Sequence, residues 1–429
     1  MENIIIREIK RLRGKIPLPA DKSISHRSVI IGSISKGTTK VSNFLKSEDC
    51  LNTVEVFKLL GINIFFNKEN QLIIESKGLR GLKQPEAALY FGNSGTGCRL
   101  TAGILAGQSF KSKITGDESL SKRPMRRITD PLRKMGAEIS GKDNANYLPL
   151  EIKGGRLKSI EYDLPIASAQ VKSSILLAGL YARGRTCLIE PHKSRDHTER
   201  MLKSFGAKIE VEGLKVCIES QTELTARDIS IPNDISAASF FMIAACIVGD
   251  SEIYLEGVGI NPTRSAILQV LRKMGADIRI IHKDLNSYEP IADIIVKSSR
   301  LKAIKIGEEM VPLLIDELPI LMVAATQAQG RTLIENASEL RVKETDRIES
   351  MVTNLKKLGA NIKSIGDDVI IEGPVKLKGA EVSSFSDHRT AMSMSIAGLI
   401  AEGKTQVDNI ECIKTSFPDF HQVINKIIS

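Results

Sequence analysis

An α/β fold with buried helices, built from a repeated βαβαββ unit and divided into two domains, is what this 429-residue sequence predicts. Three observations carry the prediction: a pair of glycine markers that recur, six helix-length segments apolar on every side, and short β-type runs between them. The first marker closes an apolar helical segment with Gly and a small or apolar residue, then starts a strand. It occurs at Gly61, Gly136, Gly206, Gly275 and Gly359, at intervals of 75, 70, 69 and 84 residues. The second is a Gly-centred turn out of a small-residue helix into a β-type run, at Gly37, Gly107, Gly184, Gly249, Gly330 and Gly403. Six copies in 429 residues average about 71 residues each, the regularity of a repeat architecture.

Within a copy, the segment before the first marker has helical spacing, with Ile267, Leu271 and Met274 in one unit and Ile348, Val352 and Leu355 in another. Gly then stops the helix. The other helix of each copy differs: SISHRSVIIGSIS, NSGTGCRLTAGILAG, SAQVKSSILLAGLYA, DISAASFFMIAACIV, DELPILMVAATQA and DHRTAMSMSIAGLIA open with a polar cluster and continue in small and apolar residues. A helix apolar all round belongs inside a core. QLIIES, VIIEG and ADIIVKS are strands of the unit. The last copy ends early, because no marker follows Gly403, so the β-type start IIIREIKR is the candidate for a missing strand. Three copies per domain then give a first domain over residues 19–230 and a second, discontinuous one over 1–18 plus 231–429. The chain crosses near 17–20, stiffened by Pro17 and Pro19, and near 230–233, interrupted by Pro232. Two such connections make a hinge.

Forty-two per cent apolar and 26 per cent charged residues suit a soluble globular chain. The longest nearly unbroken apolar run, Phe240 to Val248, has nine residues, against the roughly 18 that a membrane helix needs. The start, MENIIIREIKRLRGK, is interrupted by Glu2, Arg7 and Glu8 and lacks the core of a secretory signal, so the expected compartment is the cytoplasm. Six cysteines stand singly, without CxxC pairs or zinc spacing, and most are expected to be reduced packing residues. Sixty basic against 51 acidic residues give a net charge of +9 and a pI near 9.1, which suits a polyanionic or phosphorylated partner. Nucleic acid and small phosphate esters both fit. Against nucleic acid stand the lack of Trp, the few aromatic rings for stacking and the absence of a dense Lys/Arg run.

The polar clusters mark the N-termini of the six buried helices, where unpaired N–H groups and the positive dipole end favour phosphate and carboxylate. DKSISHRS places Lys22, Ser23 and Arg27 within about one and a half turns; a cationic phosphate clamp and an exposed helix start both fit. In GNSGTGCR the glycines allow close backbone approach and Asn93 can cap. Arg123, next to Pro124 in SKRPMRR, can grip an anion bidentately or belong to a solvated basic helix start. SAQVK offers Ser168, Gln170 and Lys172, although capping alone would explain Ser168. SRDHTER, with Ser194, Arg195, His197 and Glu199, reads as surface ion pairing or as a binding segment. Asp316 in LIDELP is a base tuned by its surroundings or an N-cap. ELRVKETDR packs Arg341, Lys343, Glu344, Asp346 and Arg347 into seven residues, and a carboxylate among cations can shuttle a proton beside an anionic substrate. DHR, with Asp387, His388 and Arg389, and KTSFPDF, with Lys414, add further cations.

LPADKSISHRS, GNSGT, SKRPMRR, SAQVKSS, RVKETDR, DHRTAMS and KTSFPDF, in this order from residue 18 to residue 420, resemble the 5-enolpyruvylshikimate-3-phosphate synthases, and the resemblance spans essentially the whole chain. It implies the enolpyruvyl transferase fold: a two-domain inside-out α/β barrel, each domain three βαβαββ units with helices inside and sheets outside, closing over the active site. It also implies transfer of the enolpyruvyl group from phosphoenolpyruvate to the 5-hydroxyl of 3-phosphoshikimate through a tetrahedral intermediate. No metal and no organic cofactor are expected, the partners are the two small substrates rather than nucleic acid or membrane, and a monomer is expected.

Carried over by motif, the resemblance assigns 3-phosphoshikimate to Lys22, Ser23, Arg27, Ser168, Gln170, Ser194, Asp316 and Lys343. It assigns phosphoenolpyruvate to Lys22, Asn93, Gly95, Arg123, Gln170, Arg347, Arg389 and Lys414. Asp316 is then the base for the hydroxyl, and Glu344 with Lys22 handles protons at the methylene carbon and the leaving phosphate.

Many members of the family read SSQ where this chain has Ser168, Ala169 and Gln170. With RDHTE (195–199) and NPTR (261–264), this resembles the subgroup called class II, associated with tolerance of glyphosate. The subgroup's GDK pattern is met only in part, as GDE at Gly116 to Glu118, and Gly95 retains the small residue that leaves room for inhibitor. The sister enzyme acting on UDP-N-acetylglucosamine carries a reactive Cys before its Arg-Pro, and Lys111 to Arg123 here contains none. A basic RNA-binding protein on the same repeated unit would bind nucleic acid with steep salt dependence and would have no use for Asp316 or Glu344.

Overall fold

The computed structural model describes residues 2–221, 223–284 and 288–428. Its contacts divide the chain into a unit of Met1–Pro19 with Pro232–Ser429 and a unit of Ala20–Ile231. Among the described residues there are six sheets, three per unit, and five of them repeat one plan. A short strand runs parallel to a longer one, which continues antiparallel into a hairpin. In the Ala20–Ile231 unit, for example, Leu89–Tyr90 pairs parallel with Lys111–Thr115, which pairs antiparallel with Tyr147–Lys153, which pairs antiparallel with Glu138–Gly141. Buried and exposed residues alternate along Tyr147–Lys153, as expected for a sheet with one face on the core.

Two N-terminal strands complete the repeats. Ile4–Arg7 pairs antiparallel with Lys404–Val407, filling the place left by the truncated last copy. Arg13–Ile16 pairs parallel with Glu252–Gly259. The five first-marker glycines all adopt left-handed φ, from 85° at Gly61 to 108° at Gly136, the conformation that ends a helix at little cost. The second marker is less uniform: Gly107 has φ −91°, and the left-handed residue after the Ile235–Ile247 helix is Asp250 rather than Gly249. Gly107 is required for space instead, since a Cβ there would lie 2.4 Å from the Tyr181 ring.

The six small-residue helices are Lys22–Gly32, Gly95–Ala106 and Ala169–Gly179 in one unit, and Ile235–Ile247, Leu318–Gln327 and His388–Gly398 in the other. Each is buried along nearly its whole length. In the first unit the middle helix packs on both others, and in the second all three pack together. The small residues make this approach possible: a Cβ on Gly103 would fall 2.1 Å from the Ser174 carbonyl oxygen of the neighbouring helix.

Four of the six cysteines are free, as expected of most, and two are paired. Cys187 and Cys217 form a disulfide, because the antiparallel pairing of Arg185–Ile189 with Lys215–Glu219 sets them directly opposite at a Cα separation of 4.1 Å. Cys50, Cys98 and Cys246 are buried free thiols, each pushed up to about 12 by burial, as expected for packing residues.

Candidate active site

In the Ala20–Ile231 unit, Asp21 caps the Lys22–Gly32 helix by accepting from the Ile24 N–H at 2.8 Å. Lys22 follows it, partly exposed and paired with Asp49 at 2.5 Å. Arg27 is buried and points back along the helix: its Nη1 donates to the Ser23 carbonyl at 2.9 Å, its Nε to Thr198 at 2.7 Å and its Nη2 to Ser173 at 3.2 Å. His26 on the same helix reaches Thr53 at 2.8 Å and Ser94 at 3.4 Å. Burial, with Lys22 and Arg27 nearby, holds its imidazole well below the usual histidine range, so it stays neutral and ties this helix to the start of the next.

Asn93 is not a cap. Ser94 accepts from the Gly97 N–H at 3.0 Å, and Asn93 instead donates to Asp117 at 2.8 Å and accepts from Arg123. The Arg123 guanidinium is thereby drawn over the Gly95–Ala106 helix start, where a Cβ on Gly95 would lie 3.3 Å from Arg123 Nη1 and 3.0 Å from Arg99 Nη1. Arg123 is 7% exposed, so it does not belong to a solvated basic start. At the third helix Ser168 caps Val171, and Gln170 bridges Arg99 at 2.5 Å and Thr96 at 3.0 Å. Ser194 is buried, with its hydroxyl donating to Glu190. The SRDHTER segment is no surface ion-pair strip, since Glu199 is buried against Lys172 at 2.7 Å.

In the other unit the charges interlock. Arg347, 1% exposed, opens the Arg347–Lys357 helix capped by Asp346. Its Nε meets Asp387 at 2.8 Å, its Nη2 meets Glu344 at 2.6 Å and its Nη1 lies 3.5 Å from Asp316. Burial works against its charge, but Asp387, Glu344 and Asp316 outweigh it and raise its pKa further. Asp316 does not cap the Leu318–Gln327 helix; the cap position is Glu317, whose side chain makes no capping bond. Asp316 instead pairs with Arg389 Nε at 3.2 Å, and its carbonyl accepts from Arg389 Nη1 at 2.8 Å.

Burial lowers the Arg389 pKa, and it pushes Lys343 down to about 8 despite Asp316, Glu339 and Glu344 nearby. Asp387 caps the last buried helix through the Arg389 and Thr390 N–H groups. Lys414 is exposed in the Ile410–Thr415 turn, which packs on that helix.

Motif reading passed over several groups that complete these clusters. Asp49 holds Lys22, and Glu190 joins Glu199 on Lys172. Arg264 of the NPTR stretch bridges Glu317 at 2.7 Å and Asp234 at 3.2 Å, joining two helix starts. The available sign was a charged residue inside an apolar context, as with Glu317 before LPILMVAA. Among the described residues no three His, Cys, Asp or Glu side chains gather as metal ligands would.

Residues 6–424 match the family described as EPSP synthase (3-phosphoshikimate 1-carboxyvinyltransferase). A curated 3-phosphoshikimate 1-carboxyvinyltransferase of Geobacter sp. (strain M21) is 50% identical over 428 residues, covering 100% of both chains. One from Desulforamulus reducens is 49% identical over 425 residues, 99% of each. Among solved structures, an EPSP synthase from Acinetobacter baumannii superposes with a TM-score of 0.88 at 46% identity, over 99% of this chain and 98% of that one. The enolpyruvyl transferase NikO from Streptomyces tendae shares the fold, with a TM-score of 0.80 at 17% identity over 99% and 97%.

Proposed function

The chain belongs to the EPSP synthase family, and from that premise we propose how its residues share the reaction. It transfers the enolpyruvyl group of phosphoenolpyruvate to the 5-hydroxyl of 3-phosphoshikimate and releases phosphate, in the shikimate pathway to aromatic amino acids. Both substrates carry a carboxylate and a phosphate of about −1.5 to −2, so most of the binding energy is asked of cations and helix starts.

Lys22, Ser23, Arg27, Ser168, Gln170, Ser194, Asp316 and Lys343 hold 3-phosphoshikimate. Lys22, Asn93, Gly95, Arg123, Gln170, Arg347, Arg389 and Lys414 hold phosphoenolpyruvate, the Arg forks gripping its anionic groups. Asp316 takes the proton of the 5-hydroxyl as its oxygen attacks C2. Glu344, as the carboxylic acid, delivers its proton to the methylene carbon, giving a tetrahedral adduct and leaving its carboxylate on Arg347. As the C–O bond to phosphate breaks, Glu344 recovers that proton and Lys22 steadies the departing phosphate.

The observation carrying this division is the convergence of the Asp316 and Glu344 carboxylates on Arg347, with Arg389 also on Asp316. A base and an acid are thereby kept beside the cations that take an anionic substrate. The enzyme acts as a monomer on these small molecules, in the cytoplasm where phosphoenolpyruvate is made; size-exclusion chromatography tests the first point and cell fractionation the second.

The assay that tests the reading mixes protein, 3-phosphoshikimate and phosphoenolpyruvate and follows phosphate and the new enol ether. Asp316→Ala and Glu344→Ala should slow product formation far more than they weaken binding. Full turnover in both would sink the role assignments.

A further inference from the structure

Glu190 follows the Arg185–Ile189 strand, and one oxygen of its carboxylate accepts both the Ser194 N–H, at 3.2 Å, and the Ser194 hydroxyl. Its other oxygen meets Lys172 Nζ at 2.9 Å. The same ammonium meets Glu199 at 2.7 Å and donates to the Ser194 carbonyl at 3.3 Å. Lys172, Glu190, Ser194 and Glu199 are 0%, 1%, 1% and 3% exposed. Burial alone would lower the lysine pKa, but Glu199 and Glu190 outweigh it and hold it above the usual range. Arg27 donates to Thr198, Ser173 and the Ser23 carbonyl.

A buried ion cluster is a poor way to gain stability, since apolar side chains of similar volume hold a core as well or better. Its placement has a different consequence. The Ser194 proton is directed into a carboxylate, so a phosphate that is to receive it must compete with Glu190. The stronger the negative charge left on Glu190, the worse the phosphate fares, both as rival acceptor and as neighbouring anion.

We propose that Lys172 is a positioning residue that sets this contest: by compensating Glu190 and Glu199 it weakens the hold on Ser194, so that the hydroxyl turns to the phosphate of 3-phosphoshikimate. No bond is made or broken; one hydrogen bond changes acceptor. The inference rests on the assignment of Ser194 to that phosphate.

Steady-state kinetics on the full chain test it. Ser194→Ala should raise KM for 3-phosphoshikimate about tenfold, the scale of one charge-assisted hydrogen bond, with KM for phosphoenolpyruvate little changed. Lys172→Met should do the same, and the double variant should be no worse than either alone. Glu190→Gln should move the other way, to wild-type KM or below, because a neutral amide holds the hydroxyl less strongly.

A merely structural role would raise KM for both substrates, and would do so in Glu190→Gln as well. The proposal is overturned if Lys172→Met leaves KM unchanged, if its effect multiplies that of Ser194→Ala, or if Glu190→Gln raises KM. Should Ser194→Ala alone have no effect, the phosphate assignment falls and takes the inference with it. If Lys172→Met does not fold, Glu190→Gln alone and combined with Ser194→Ala decides: any gain must vanish in the combination.

Discussion

At the starts of the three buried helices in the Ala20–Ile231 unit the cap residues are Asp21, Ser94 and Ser168; in the other unit they are Asp234, Glu317 and Asp387. The first set has one carboxylate and two hydroxyls, the second three carboxylates. The acids of the second set are each met by a buried arginine, Arg264 for Asp234 and Glu317, and Arg347 for Asp387. Arg347 then also gathers Glu344 and Asp316. In the first set the cations are held separately: Lys22 pairs with Asp49, Arg123 donates to Asn93, and Arg99 donates to Gln170, while Ser168 caps Val171. One repeated fold thus presents donor-rich helix starts with separately held cations in one unit and interlocked acid–arginine pairs in the other. The first is suited to receiving anions, and the second adds groups able to exchange protons.

The sharpest way to break that contrast is at Asp316. Asp316→Ala should lower kcat about 10²–10⁴-fold, the usual worth of a positioned base, measured under saturation with both substrates. Next come the interlocked pairs themselves: Arg347→Met leaves carboxylates without their buried cation and should cost about 3–5 kcal/mol in urea unfolding. A loss below about 1 kcal/mol, the worth of an exposed pair, would mean the pairs behave as surface contacts. In the donor-rich unit, Arg123→Ala should raise KM for phosphoenolpyruvate roughly 10- to 100-fold while kcat changes little.

The smallest effect is a pH dependence. Lys343 has a pKa pushed down to about 8, chiefly by burial, so the free enzyme loses this cation as pH rises through that value. Phosphate reaches its dianionic form above about pH 6, so affinity for 3-phosphoshikimate should be greatest between these limits. Above pH 8 it should fall by up to about tenfold per unit. Lys343→Arg should remove the alkaline limb in calorimetric titrations; an unchanged limb would assign it to another group.

Much of the architecture was legible because it rests on local chemistry. A helix made of Ala, Ile, Met and Ser on every side can only be internal, and the Ile235–Ile247 helix is buried from Ile235 to Cys246. A missing strand in the last repeat demanded a replacement, and Ile4–Arg7 supplies one. Pairings between distant segments were not legible, since no periodicity encodes them. The Cys187–Cys217 bond follows from a sheet register, and Lys172 finds Glu190 after a strand and Glu199 on the His197–Ser204 helix through packing that no sequence pattern encodes. At the candidate site the residue types were readable but their partners were not: Asn93 and Asp316 both looked like caps, yet each gives its side chain to an arginine. Capping needs only a nearby N–H, whereas these contacts need the repeats to be folded.

Single-turnover kinetics at saturating substrate, comparing Arg123→Ala with Asp316→Ala, address the division of labour most directly. The account predicts that saturation restores the Arg123→Ala rate to near that of the parent enzyme, while Asp316→Ala stays slow however much substrate is added. Recovery of Asp316→Ala at saturation, with Arg123→Ala remaining slow, would contradict it.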